Sequence, residues 1–548
     1  MPSEVDPANI QGSIWPRLPR YYESFLFFKI KDLEDDESFT TFKDHLRKLV
    51  TDQNDPKKPG KIATGAQCKE YFNTHGGFDE AHDRVDTLPE ERHTFNAINV
   101  AFSGKGTTKL VGPYDEVKLR DLLHERGMYQ DMVFEGPDEP ESLADEYKPP
   151  KDWPQNNDNW RCDGMFIVAA QREEELEATI KDLKSNFGIT GNAQVDKDQA
   201  SVEITLTKEG HVRNADGKAQ RKGQESLRGK EHFGFEDQIS QPNIHGLDLP
   251  PKEGEPPATA PGVIFLNRTG DNTKSPEWAT DGSYLAFREI EENVHEFNKY
   301  GLLWSPLYER VGLMRSYRFV KDESKHLESF NDGTGEKLAA YMIGRWKNGT
   351  PVAINGENSD SQNPLANNFE YKYHYNTPKE LKCPIAAHIR KMRPRADLFI
   401  SKDGDMHVSA GDNYWNNTNV ILRRSVTFGP EIEEGEEDKP REQRPKRGIY
   451  FMCYQGDFRN GFNFLTSRWA SNEVFSGKQG LDMVPGQDPI VSQRNRADHP
   501  VPKFGIYDGD KAKQLEMGYL PWIDQRGGEY FFTPSIKALQ SVFVDPVE

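Results

Sequence analysis

Cysteine is scarce in this 548-residue chain: Cys68, Cys162, Cys383 and Cys453 are widely spaced and form no CxxC pair. That disfavours a disulfide framework or a structural zinc site and leaves buried free thiols as the expectation. Long apolar runs are missing too. None approaches the roughly 18 residues of a membrane helix, so no membrane span is expected. Basic residues are outnumbered, Lys+Arg 70 against Asp+Glu 89, for a formal charge of −19. Phosphate contacts need clustered Lys and Arg, so a nucleic-acid partner is excluded and a small neutral or cationic substrate is the better prior. There is no Walker A loop, HExxH, EF-hand or GxSxG elbow, which removes the commonest nucleotide, zinc-protease, calcium and hydrolase readings. The chain opens Met1-Pro2-Ser3-Glu4 without a basic stretch and apolar segment. A cytoplasmic or leaderless protein is therefore expected, with a secreted mature form as the alternative. The sequons at Asn267, Asn348 and Asn416 read as chance matches.

What is present alternates between strand and helix signals. Phe25–Ile30 is a buried strand candidate, followed by a helix with Phe39, Phe42, Leu46 and Leu49 on one face. Met165–Val168 leads into a second helix bearing Leu176, Ile180 and Leu183, and Val202–Leu206 alternates as a strand. After the Pro/Gly/Glu-rich stretch Pro250–Pro257 the scheme restarts. Ser283–Phe287 reads as a strand, Ile290, Val294 and Phe297 as a helix face, Ile449–Tyr454 as a strand and Phe462–Ala470 as a helix. This predicts a duplicated α+β architecture with helices on antiparallel sheets, divided as residues 1–247 and 258–548. Residues 105–160, 207–230 and the acidic-then-basic run Glu431–Arg447 read as polar insertions or solvated loops.

Four segments place polar residues inside apolar sequence. In His232–Pro242, Asp237 is either a turn or cap residue or a general acid/base. In Cys383–Arg395, His388 is either a structural histidine or a ligand. Arg390, Lys391, Arg393 and Arg395 are placed to pair with cofactor carboxylates. In Val420–Pro430, Arg423 makes a structural ion pair or aims a fixed charge into a pocket. Asp488, in Gly486–Ile490, is a turn residue unless a ligating histidine lies nearby.

Taken in order, these segments resemble the dye-decolorising haem peroxidases, the long fungal type best. Asn9–Ile14 resembles the NIQGDI opening, Asn99–Ser103 NIAFS, and Phe233–Pro242 FGFxDGxSxP. Asp281–Arg288 is similar to dGSflvfR, Gly344–Trp346 to GRW, and Cys383–Arg395 to CPxAAHIRKxxPR. Ile421–Arg424 resembles ILRR, and Arg447–Gln455 RGLxFxCYQ. The resemblance implies duplicated ferredoxin-like domains and one haem b per chain, held non-covalently in the C-terminal half. His388 would be the proximal iron ligand and Asp488 its hydrogen-bond acceptor. Asp237 and Arg423 would be the distal pair, Ile449 and Phe451 would line the pocket, and Arg288, Arg390 and Arg395 would contact the cofactor. The implied activity is oxidation of dyes, phenols and other aromatics by hydrogen peroxide, with a homodimer compatible. Aspartates titrate near 3.9, so an aspartate base implies work in acid. The family also implies oxidation of bulky dyes at a surface Trp or Tyr. Trp415 and Trp469 lie in the right half, though structural roles suit them better. One departure stands out: the GxxDG motif ends in Gln238, where glycine could permit positive φ. It leaves open an alternative, a haem-binding or sensing protein of low turnover.

Overall fold

A computed structural model describes residues 4–31, 37–51, 60–75, 93–112, 162–191, 199–215, 227–298, 334–371, 383–398, 418–475, 485–492, 503–508, 511–516 and 522–545, without 357, 360–362 and 364 and with 119, 127 and 128 between. The first half runs β1 (Tyr22–Ile30), α1 (Glu37–Val50), α2 (Gly65–His75), β2 (Ala97–Ser103), α3 (Gly104–Val111), β3 (Gly164–Ala170), α4 (Glu173–Asn186) and β4 (Val202–His211). Aromatic and β-branched runs make the strands, and acidic residues open α4, where the helix dipole favours them.

β1 pairs antiparallel with both β3 and β4, and β2 with β3. The order β4-β1-β3-β2 is that of a ferredoxin-like βαββαβ unit. The second half repeats it with β5 (Ser283–Glu292), α5 (Thr334–Ile343), α6 (His388–Met392), β6 (Leu422–Arg423), β7 (Val426–Phe428), β8 (Gly448–Gln455), the separate hairpin β9 (Lys503–Asp508) and β10 (Lys511–Glu516), β11 (Ile523–Thr533) and α7 (Ile536–Gln540). Its order, β11-β5-β8-β6, is the same permutation, and β2 joins β11 to make one nine-stranded sheet. The fold is thus the duplicated α+β architecture expected. The sheet curls until its outer strands approach, with Thr427 Oγ1 donating to His211 O.

Alternation along the strands sets the two faces. Phe25, Phe27, Met165, Ile167, Leu285, Phe287, Met452 and Phe531 share one fully enclosed core. There Phe287 meets Phe25 and Phe27 edge-on at 5.1 and 5.2 Å, contacts worth about 0.5–1.5 kcal/mol each beyond their burial. On the other face Leu26, Phe28, Val100 and Phe166 pack beneath Phe42, Leu46 and Leu49 of α1. Towards the end of β5 this outer face carries the charged Arg288 and Glu292 on either side of Ile290. Arg288 and Ile290 lie opposite Phe451 and Ile449 of β8.

The boundaries differ in places. β5 continues to Glu292, so Ile290 belongs to a strand and not to the expected helix; only Val294 and Phe297 lie in the helical turn that follows. β4 extends through residues 207–211, which were expected to be loop. Phe462–Ala470 is one α-turn and then a π-helix. Glu431–Arg447 is not simply solvated: buried Glu436 accepts Nη1 and Nη2 of Arg447 at 2.5 and 2.7 Å and pairs with His295 Nε2 at 3.0 Å. All four cysteines are free and buried. Among the described residues no helix is long and apolar enough to cross a membrane.

Candidate active site

Arg288, Ile290 and Glu292 face a cavity to which three further elements bring an aspartate, an arginine and a histidine. The first is the loop leading to Gln241. Glu231 accepts the backbone N–H groups of Phe233 and Phe235, each at 2.7 Å, which fixes the loop's turn. Phe233 then stacks on Phe297 at 4.3 Å. Asp237 Oδ1 accepts the N–H of Gln238 at 2.6 Å and Nη1 of Arg423 at 2.8 Å. Arg423 sits on β6, the second element. Its N–H donates to Gln241 Oε1 at 3.0 Å, its carbonyl accepts Gln241 Nε2 at 3.2 Å, and its Nη2 donates to Ser240 O at 3.3 Å. The Arg423 and Asp237 side chains are 25% and 23% exposed, so the ion pair opens onto the cavity.

The third element is α6. Its first residue, His388, follows a turn in which Ala387 N–H donates to Pro384 O. His388 Nδ1 lies 2.8 Å from Asp488 Oδ2. Asp488 is buried, and its Oδ1 accepts the N–H groups of Ile490 and Val491 at 2.8 and 3.1 Å. With Nδ1 engaged, His388 Nε2 is left without a protein partner among the described residues. Ile449, Phe451, Ile421 and Leu465 supply apolar wall between these polar groups. The space open to water centres is about 270 Å³, ten times and more what one ordered water needs.

The basic cluster divides. Arg393 and Arg395 line the cavity, whereas Arg390 and Lys391 do not. Arg390 was expected to reach a cofactor, but its guanidinium is buried against Asp397, with Nε and Nη2 donating at 2.5 and 2.8 Å, and lies over the Tyr371 ring at 4.6 Å. Its Nη1 donates to Cys383 O, so each nitrogen of the guanidinium already has an acceptor in the protein. Lys391 Nζ donates to Asn472 O and Phe475 O. Arg345, in the GRW segment, lines the cavity instead. Its Nη1 donates to Gly349 O and Ala366 O, and its Nη2 meets no partner among the described residues. Burial, with Arg395 close by, lowers its pKa to about 9. Trp469 is buried and stacks on Phe475 at 4.9 Å; Trp415 lies outside the described residues.

A family model, the DyP dimeric alpha+beta barrel domain, matches residues 9–214. The chain is 30% identical over 546 residues to a dye-decolorizing peroxidase of Exidia glandulosa, covering 98% of this chain and 87% of that protein. It is also 30% identical over 544 residues to AauDyP1 of Auricularia auricula-judae, with the same coverage. Among solved structures, an ancestral D-type dye-decolorizing peroxidase superposes with a TM-score of 0.73 at 29% identity, covering 98% of this chain and 99% of that one. The chain belongs to the dye-decolorizing peroxidases. It is an oxidoreductase, and peroxidases of this family are haem enzymes.

The cavity of this dye-decolorizing peroxidase suits such a group. Haem presents a flat apolar ring, two carboxylates and a metal that takes a neutral imidazole nitrogen. Apolar walls, Arg345 Nη2 beside Arg393 and Arg395, and the Nε2 edge of His388 answer those three demands in turn. Arg345 was missed in the sequence because a GRW segment looks no different from a packing motif. The one available signal was an arginine between apolar residues.

Glu231 and Glu292, also missed, form a buried, hydrogen-bonded carboxyl pair on the cavity wall. Burial, with Glu231 adjacent, holds Glu292 well above the ordinary carboxylate range. A folded value raised above the unfolded one stabilises below the ordinary range and loses that contribution as pH rises through the folded value. Glu292→Gln keeps the hydrogen bonds and abolishes the titration. Its Tm relative to wild type should be unchanged near pH 4 and climb as the pH rises towards 8. A Tm difference that is flat across this range would exclude the protonated pair.

Proposed function

We propose that this dye-decolorizing peroxidase binds one haem b non-covalently in the cavity and uses hydrogen peroxide to oxidise dyes, phenols and related aromatics in one-electron steps. The relatives' names support dyes as substrates. The observation that carries the residue assignments is the meeting, in one cavity, of a carboxylate-backed histidine and a carboxylate–arginine pair.

His388 is the residue to ligate iron, through Nε2. Asp488 holds the ring by Nδ1, fixes the tautomer with the proton on Nδ1, and makes Nε2 the more basic nitrogen. Arg345, Arg393 and Arg395 are the cations to meet the two carboxylates. Arg288 also faces the cavity, while Arg390 acts at one remove by holding Asp397 and the turn of α6. When bound, haem supplies the metal at which peroxide is split and the store for two oxidising equivalents.

Asp237 and Arg423 handle the peroxide itself. A peroxide molecule must lose the proton from one oxygen and gain one at the other before the O–O bond breaks. Asp237 Oδ1 is engaged twice, by Gln238 N–H and Arg423 Nη1, which leaves Oδ2 to take that proton and return it. Arg423, held by Gln241 and Ser240, keeps positive charge beside the lengthening bond with no reorganisation at the moment of reaction. Ile449 and Phe451 exclude water from the pocket.

The test is rapid mixing of the haem-loaded protein with hydrogen peroxide, followed by absorbance and then by dye bleaching. The resting protein should show a Soret band at about 400 nm that is lost in His388→Ala. Peroxide should shift the band within one mixing time, and a dye should return it. A Soret band that peroxide leaves unchanged would reject the peroxide reaction in favour of haem binding alone.

A further inference from the structure

Gln238 adopts φ +60, a left-handed conformation that suits glycine and is unfavourable for a side chain with no local means of stabilising it. Something must hold it there. Its side-chain amide is used at both ends: Nε2 donates to Ser425 O at 2.8 Å, and Oε1 accepts Nη1 of Arg17 at 3.1 Å. Ser425 lies two residues beyond Arg423, and its carbonyl also accepts Arg20 Nη2 at 2.9 Å. The amide therefore ties the Asp237 loop to the strand segment carrying Arg423 and to the N-terminal segment. The same residue's backbone N–H donates to Asp237 Oδ1 at 2.6 Å, the oxygen that also takes Arg423 Nη1.

Resting on the assignment of Asp237 and Arg423 above, we propose that Gln238 is a positioning residue for peroxide activation. Its amide bridge holds the left-handed turn that aims its N–H at Asp237 Oδ1, so that Arg423 and the turn fix one carboxylate oxygen and free the other. A turn held only by its backbone would let the carboxylate rotate and exchange its two oxygens. Preorganisation would then be lost although every reacting group is still present.

Two variants separate backbone from side chain. Gln238→Gly restores a residue at ease with positive φ but removes the bridge; Gln238→Ala removes the bridge and keeps the strain. Both are measured as haem-loaded full chains, with thermal melts to verify folding. The first readout is the rate of reaction with hydrogen peroxide across pH. The second is the rate of cyanide association with the resting protein, which needs a base for hydrogen cyanide but no turnover. Both variants should slow both reactions roughly tenfold or more, as loss of a supporting hydrogen bond does at metal sites. The step in which a dye reduces the peroxide-oxidised protein should keep its wild-type rate, because it needs no proton taken from peroxide. Gln238→Gly should melt no lower than Gln238→Ala. A Gln238→Gly protein with wild-type rates would overturn the proposal, as would a dye-reduction step slowed to the same extent as the peroxide and cyanide reactions. Asp237→Asn is measured alongside. If it reacts like wild type, the assignment of Asp237 fails; if it is inert while the Gln238 variants are unaffected, only the role of Gln238 fails.

Discussion

Asp237→Asn should lower the bimolecular rate with hydrogen peroxide by about 10²–10⁴-fold, the usual contribution of a positioned proton acceptor. The resting Soret band should stay in place, because His388 and the arginines that face the cavity are untouched. Asparagine is close to isosteric. Its side-chain oxygen can still accept from Gln238 N–H and Arg423 Nη1, the two donors that meet Asp237 Oδ1 at 2.6 and 2.8 Å. The loop geometry is therefore kept and the proton acceptor alone is lost, since an amide nitrogen in the place of Oδ2 cannot take a proton. Asp237→Ala is less diagnostic, because it leaves the Arg423 guanidinium short of its acceptor and frees the loop. Stopped-flow mixing at several pH values measures the effect. Asp237→Asn reacting at the wild-type rate would show that proton transfer runs through water or another group.

The parts of this molecule that could be read from sequence are those with a period or a fixed spacing. Continuous apolar and aromatic runs gave β1, β3 and β8 their approximate limits, alternation gave β4 its start, and the repeat of strand and helix signals gave the duplication. Boundaries failed where tertiary pairing overrode local pattern. β5 extends through Ile290 because β8 and β11 pair along its length, and no local feature announces that. Motifs were legible as order along the chain but not as contacts. Asn9 of the opening motif donates to Asp281 of the strand motif at 2.8 Å, and Asp281 in turn takes Arg268 through two bonds of 2.6 Å. Asn99 accepts the N–H of Ser13 at 2.7 Å. The Asn9 contact ties the first half of the chain to the second, and the Asn99 contact braces the opening segment within the first half.

Within the site, the His388–Asp488 and Asp237–Arg423 pairs span 100 and 186 residues of sequence. Their partnership came from the resemblance and not from spacing. Arg390 shows the limit of composition: four basic residues in six look alike in a string, and only the fold decides which two face the cavity. Asp397, seven residues on from Arg390, captures it before any ligand can. Gln238 was visible as a departure, yet its positive φ and double tether depend on Arg17 and Ser425, both remote in sequence.

Arg423 carries the second large effect. Arg423→Met, of similar length and uncharged, should slow peroxide activation by about 10²–10³-fold, the loss typical of removing one preorganised donor. Arg423→Lys should fall between the two. An ammonium keeps the charge but lacks the planar fork that lets Nη1 reach Asp237 while Nη2 reaches Ser240 O. The informative measurement is the cycle with Asp237→Asn. If the two residues act as a unit on one peroxide molecule, the double variant Asp237→Asn/Arg423→Met should be little slower than the slower single variant, because each substitution already disables what the other residue serves. If their effects multiply, towards 10⁴-fold or beyond, they stabilise separate events. Arg423 would then act on charge alone, and the 2.8 Å bond to Asp237 would be a resting contact that breaks before reaction.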